Sequence, residues 1–230
     1  MRKRQSFITM MFGALALVWL AGCTVITTAE ATAIAQGGAF DAETFAAAKW
    51  SEVLTAIENN SVDLAEVLSA IQVDGNGLAK KDNLNEVASQ YGLTTVGEAH
   101  GFMVKGSGVV SAVDTESRTG TMTISVDGYD GPIKVKFYLG PRIPSDETAV
   151  RDAVGFIQFG DFREQTEYGK VARELNKRVL NDVLGSLNTD NLAGQQISFY
   201  GAFLIRTFNE PGDINVSEIV VTPVQLTVGG

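Results

Sequence analysis

Near residue 100 the hydrophobic period of this 230-residue chain changes, and that change limits its fold more than any other feature. Before it, apolar residues recur at i, i+3, i+4 and i+7. They are Trp50, Val53, Leu54 and Ile57, then Leu64, Val67, Leu68 and Ile71, then Leu84, Val87, Ala88 and Tyr91. This spacing lines one face of a helix, and such stripes form core rather than a cofactor box. Asp41 is placed as an N-cap, Asn83 with Glu86 as a capping box, and Gly92 as a stop. After the change the period is two. Met103–Val113 reads as a strand interrupted by Gly106 and Gly108. Met122, Ile124 and Val126 alternate along Thr121–Val126, and Asp127–Gly131 is a turn. Ile133, Val135, Phe137 and Leu139 alternate with Lys134, Lys136 and Tyr138, as on a half-buried strand. Two helices are expected next. One opens at Ser145 and Asp146 and carries Val150, Ala153, Val154 and Ile157. The other begins near Glu164, with Tyr168, Val171, Leu175, Val179 and Val183 on its apolar face. Gln196–Arg206 and Ser217–Val228 are closing strands, and Pro223 marks an edge or a bulge in the last.

The order β-β-β-α-β-β predicts an α+β chain. A helical N-terminal region precedes an OB-like five-stranded antiparallel β-barrel, with helices between strands three and four. Glycines in the first strand suit the bend a barrel corner needs. An open antiparallel sheet packed on helices is the second expectation. The expected organisation is a signal segment at 1–22, a tether at 23–39, a helical region at 40–98 and the barrel at 99–230.

The N-terminus sets the expected address. Arg2, Lys3 and Arg4 precede an apolar run from Phe7 to Leu20. That run is shorter than the roughly 20 residues of a spanning helix and fits a signal-peptide core. It ends Leu20-Ala21-Gly22-Cys23, the lipobox pattern of bacterial lipoproteins, and Cys23 is the only cysteine of the chain. Diacylglycerol attachment at Cys23, cleavage before it and acylation of the new amine are expected. Loss of residues 1–22 removes three of the 18 basic residues and none of the 27 acids, leaving a balance of −12. The membrane partner is therefore reached through lipid and not through attraction to anionic headgroups. Thr24 stands where an Asp commonly signals inner-membrane retention in lipoproteins, which leans to the outer membrane of a periplasm-facing protein. Thr24–Gly38, rich in Thr, Ala and Gly, reads as a flexible tether.

Charge and composition exclude several classes. A net charge of −9 and a pI near 4.7 argue against nucleic acid. One Cys and one His leave no disulfide and no Cys- or His-rich metal centre, so no metal or cofactor is expected. Asp74-Gly75-Asn76-Gly77 starts like a calcium loop, but Leu78, Ala79 and Asn85 break the pattern, and a turn is the better reading. His100 is expected in a loop or at the surface, without a nucleophile elbow to serve. Asp152, Asp161, Glu164 and Glu167 could supply a carboxylate pair for hydrolysis, though helix-surface pairing of Arg151 with Asp152 and Arg163 with Glu167 is the simpler account. No catalytic residue is assigned.

One group stands out as a candidate binding patch: Arg118, Arg151, Asp152, Asp161, Phe162, Gln165 and Asn176, interleaved with Phe156 and Phe159. Arginine beside aromatics builds glycan grooves and interface hot spots. The competing reading is structural, with buried Arg–Asp pairs fixing a helix onto the barrel rim.

Several segments together carry a resemblance. They are Lys105-Gly106-Ser107-Gly108, Ser117-Arg118-Thr119-Gly120, Leu139-Gly140-Pro141 before Arg151-Asp152-Ala153, and Phe156 to Phe162 before Gln165. Later come Leu175-Asn176, Gly201-Ala202-Phe203 and Val221-Thr222-Pro223-Val224. From Cys23 almost to its end the chain resembles a bacterial family of predicted periplasmic lipoproteins described as a domain of unknown function. Members tend to be encoded near sugar-type ABC transporters. The resemblance thus implies an accessory role in uptake, with transporter components or a glycan as partner. The stretch Arg142–Val150 departs from the family pattern, so any specificity of that loop is this chain's own. A carboxylate-dependent envelope hydrolase and a purely structural envelope protein are the alternative readings.

Overall fold

A computed structural model describes residues 40–95, 99–208 and 212–229. The expected signal segment, Cys23 and the tether lie outside the described residues. Residues Asp41–Gly230 form one compact unit. It opens with α1 (Ala42–Asn60), whose N-cap Asp41 accepts the N–H groups of Glu43 and Thr44 and the hydroxyl of Thr44. These bonds, the side-chain bond from Thr44 first, hold the Asp41 carboxyl below its usual value. Ala46, Trp50, Val53 and Ile57 bury one stripe of the helix.

A short strand β1 (Val62–Asp63) leads into α2 (Leu64–Ala70), with Asp63 capping through the Ala65 N–H. The Asp74–Gly77 segment is a turn: the Asp74 carboxylate takes the N–H groups of Asn76 and Leu78. Strand β2 (Leu78–Ala79) and α3 (Lys81–Tyr91) follow. The capping box does not form. Helix α3 starts two residues earlier than Asn83, at a Lys80 boundary with no side-chain cap. Asn83 instead ties α3 to the end of α2, accepting from Gln72 N–H and donating to Ala70 C=O. Gly92 ends α3 as expected, its N–H on the Ala88 carbonyl.

The strands are β3 (Leu93–Thr94), β4 (Ala99–Asp114), β5 (Thr121–Val126), β6 (Lys134–Tyr138), β7 (Gln196–Arg206), β8 (Ile214–Asn215) and β9 (Glu218–Val228). Between β6 and β7 come α4 (Ala149–Ala153), a 3-10 turn (Phe159–Asp161), α5 (Gln165–Arg178), a π turn (Val179–Leu184) and a second 3-10 turn (Thr189–Asn191). The expected opening of α4 at Ser145 is too early. Ser145 and Asp146 lie in the preceding loop, and the helix begins where the Glu147 carboxylate accepts the Ala149 N–H. Ile157 is buried but lies beyond the helix.

The architecture is α+β, with a helical N-terminal region and a mixed sheet. The expectation of five antiparallel strands is corrected. Among the described residues the main sheet has seven strands, and β1–β4 and β6–β9 run parallel. β2 and β8 pair apart from it. β4 pairs with β5 on one side and β7 on the other, and the ladder β5–β6–β9–β7 returns to β4. The short β1 and β3 join β4 only because the helical region brings them alongside. At Gly108 the backbones of β4 and β5 approach closely, and an added Cβ would overlap the carbonyl oxygen of Ser125. A bulge between Val110 and Ala112 reverses its facing, turning Val113 towards the core. The expected irregularity at Pro223 is a bulge against Tyr200 and Gly201, in a strand that pairs with β6 over 218–221 and with β7 over 222–228.

One core joins the inner faces of these strands to α2 and α3. Phe102 stacks on Phe203 at 4.8 Å and Phe137 meets Phe199 edge-on at 4.6 Å. On the outside, Ala149 and Ala153 of α4 seat against Ala202 of β7. Helix α5 packs along α1.

Candidate functional site

The seven residues of the expected patch do not form one site. Arg151 and Asp152 lie in α4 and are buried, not on a helix surface. Arg151 Nε donates to Asp152 Oδ1 at 2.7 Å, and its Nη1 donates to the Tyr168 carbonyl at 2.9 Å. The guanidinium lies 3.4 Å from the centre of the Tyr168 ring, whose hydroxyl donates to the same Asp152 oxygen at 2.9 Å. Arg151, Asp152 and Tyr168 thus close a small knot locking α4 to α5. Burial, reinforced by the Asp152 charge, pushes the Tyr168 phenol up to about 12. A guanidinium committed to a carboxylate, a carbonyl and a ring has little left for a ligand. For Arg151 and Asp152 these contacts favour the structural reading. Tyr168 was legible only as an apolar helix position. Its pairing depends on α4 crossing α5.

Asn176 sits two turns further along α5, about 12 Å away at 1.5 Å per residue. It is buried and donates to the Glu147 carbonyl. Tyr138 donates to the Glu147 carboxylate at 3.3 Å, and Arg206 donates to the Asp146 carbonyl at 2.8 Å. The loop that departs from the family pattern is therefore held at three points. Burial pushes the Glu147 carboxyl above its ordinary value, against the Ala149 N–H and the Arg206 charge. Burial also raises the Tyr138 phenol.

Asp161 is used locally. It accepts the Gln158 N–H and closes a reciprocal capping box around the Phe159 turn. Phe162 packs between Phe45 of α1 at 5.3 Å and Tyr168 at 5.5 Å. Gln165 is exposed in the first turn of α5. Glu167 pairs with Arg163 at 2.7 Å, the expected i, i+4 pair; burial opposes its charge, but the Arg163 bonds hold the carboxyl below its usual value. His100 corrects the loop expectation outright: it is fully buried in β4, its Nδ1 3.1 Å from the Thr94 hydroxyl. A period-two register places it inward next to Phe102.

Arg118 is exposed, in the turn between β4 and β5. Asp114 fixes that turn by accepting the N–H groups of Glu116 and Ser117, and the Ser117 bonds hold its carboxyl low. Beyond the turn, Thr121 pairs with Tyr138 and Thr123 with Lys136 across β5 and β6. Their side chains alternate with the buried Met122, Ile124, Val135 and Phe137, so they face outward. Lys136 reaches Glu218 of β9 at 2.9 Å. This hydroxyl-and-cation row was unrecognised in the sequence, although the alternation that exposes it was read correctly. Among the described residues no group of acids, His or Cys is placed to hold a metal ion, and no helix is long and apolar enough to cross a membrane.

In structure the chain is similar to a crystallised OB-fold protein from Thermotoga maritima, with a TM-score of 0.61 at 19% identity. The match covers 83% of this chain and 99% of that one, and shows a shared fold. No curated protein matches in sequence. A family model described as "Predicted periplasmic lipoprotein (DUF2291)" matches residues 13–227, nearly the whole length. The chain belongs to this family of predicted periplasmic lipoproteins.

Proposed function

We propose that the protein is a non-catalytic binding module, held at the periplasmic face of the envelope by lipid on Cys23. The five strands whose pairings close on themselves are read as an OB-like barrel. OB barrels bind oligosaccharides through the face of strands two and three and the adjoining loops. In this chain that face is β5–β6. The observation carrying the reading is that Thr121, Thr123 and Lys136 face outward there, beside the exposed Arg118 turn. Of the four carboxylates weighed for hydrolysis, Asp152 is engaged with Arg151 and Tyr168, Glu167 with Arg163 and Asp161 with Gln158, while the exposed Glu164 accepts the Thr166 hydroxyl. The partner class is a component of a sugar-type transport system or its glycan. Thr24 after Cys23 favours the outer membrane.

Crosslinking in intact cells with affinity capture and mass spectrometry tests this. An Arg118→Glu, Lys136→Ala variant should keep its fold, because it only removes the partly exposed Lys136–Glu218 pair, worth about 0–1 kcal/mol. Wild type should recover transport components and the folded variant should not. Equal recovery by both removes the β5–β6 face from the argument. In the same cells Cys23→Ala should abolish palmitate labelling, and a retained label would refute the anchor.

A further inference from the structure

We propose that the Phe159 turn rests on the bilayer to which the protein is anchored, so that the domain is held in one orientation and not merely tethered. Phe159 is 55% exposed, the most exposed large apolar side chain among the described residues. It is also held in place. Gln158 and Asp161 cap the turn reciprocally, and the Phe159 ring leans edge-on against Tyr168 at 5.8 Å. Phe162, three residues on, packs against Phe45. The aromatic is fixed outward by a closed capping box and flanked by Gln158 and Gly160, and the one acid of the turn, Asp161, is turned back onto the Gln158 N–H.

What covers it follows from where the chain continues. Phe45 lies one helical turn inside α1, about 6 Å along the axis from Asp41. The polypeptide that leads back to Cys23 therefore joins the domain on the side of the Phe159 turn. From Cys23 to Asp41 that polypeptide spans at most about 60 Å even when fully extended. The domain thus stays within reach of the membrane, and its second contact is intramolecular. High effective concentration lets a small contact be populated. With a balance of −12 after processing, attraction to anionic headgroups cannot supply that contact, and an apolar tip at the headgroup level can. This inference rests on the lipid anchor of the proposed function, but not on the β5–β6 face.

The test uses the full-length lipidated protein on phosphatidylethanolamine–phosphatidylglycerol vesicles. With Cys23 acylated, Phe159→Cys introduces a single thiol for a nitroxide label. Gly160→Cys labels the same turn with Phe159 intact, and a Cβ there meets nothing within 4 Å. Val109→Cys on β4 is the exposed control. Collisions with oxygen, which concentrates in lipid, are compared with those of a water-soluble nickel chelate. The expected result is an oxygen-to-nickel ratio several-fold higher at 159 and 160 than at 109, lost when the protein is released in detergent-free form by proteolysis of the 24–39 segment. Protein that floats with the vesicles while 159 and 160 match 109 overturns the inference and leaves the anchor standing. Shielding from both reagents overturns it in favour of a protein contact. Failure to float overturns the anchor and the inference together.

Discussion

Arg151→Ala should destabilise the domain by about 3–5 kcal/mol, the cost of leaving a buried carboxylate without its partner. Asp152 would keep only the Tyr168 hydroxyl, and the α4–α5 crossing would lose the guanidinium that bridges it. Urea unfolding reads this as a lower midpoint at unchanged slope. Arg151→Met with Asp152→Leu should recover much of the loss, because apolar replacement of a whole buried pair is tolerated far better than removal of one member. Arg178 and Asp182 offer a surface comparison, 3.6 Å apart with both side chains more than a third exposed. Asp182→Asn should stay within about 0.5 kcal/mol. If Arg151→Ala is equally mild, the knot is not what fastens α4, and Arg151 returns as a candidate ligand contact.

Gly120→Ala should cost about 2–5 kcal/mol, for two separable reasons. The residue has φ +52°, where a Cβ costs about 1–2 kcal/mol. That Cβ would also overlap the carbonyl oxygen of Gly140. The overlap cannot relax by a side-chain rotation. Gly120 C=O accepts the Leu139 N–H and Thr119 C=O accepts the Gly140 N–H, so backbone must move against backbone. Overpacking of this kind adds about 1–3 kcal/mol. Gly194, at φ +83° with nothing within 4 Å of an added Cβ, isolates the first term. Gly194→Ala should cost only the conformational part. Equal midpoints for the two variants would show that the 119–140 contact contributes nothing. The close approach of two backbones thus accounts for a glycine at position 120.

The elements were legible because they are local. The i, i+3, i+4 stripes gave α1, α2 and α3, alternation gave β5 and β6, and Pro223 marked its bulge. Errors arose wherever a polar side chain had a choice of partner. Asn83 had a capping box within its own helix but bonds the end of α2 instead. Glu147, next to the expected opening at Ser145 and Asp146, sets the start of α4. His100 looked like a loop residue because neighbouring glycine and acid are polar-turn signals. Its burial comes from the inward register of β4. The seven-residue patch was expected because its polar residues flank apolar segments and interleave with aromatics, but position along α5 divides it: Tyr168, which holds Arg151, and Asn176 lie two turns apart, each bonded to a different neighbour.

The sequence by itself determined the acidic charge, the change from helical to alternating period and the family of predicted periplasmic lipoproteins, since each is carried by composition or by short-range pattern. Only the tertiary structure decided that the ladder returns to β4, that two pairings are parallel, that Arg151 is spent inside the fold and that Phe159 and Arg118 are not. The physical reason is that pairing and burial depend on which distant segment arrives alongside. Glu218 meets Lys136 and Tyr168 meets Arg151 only after the chain has closed, and no local propensity encodes the meeting.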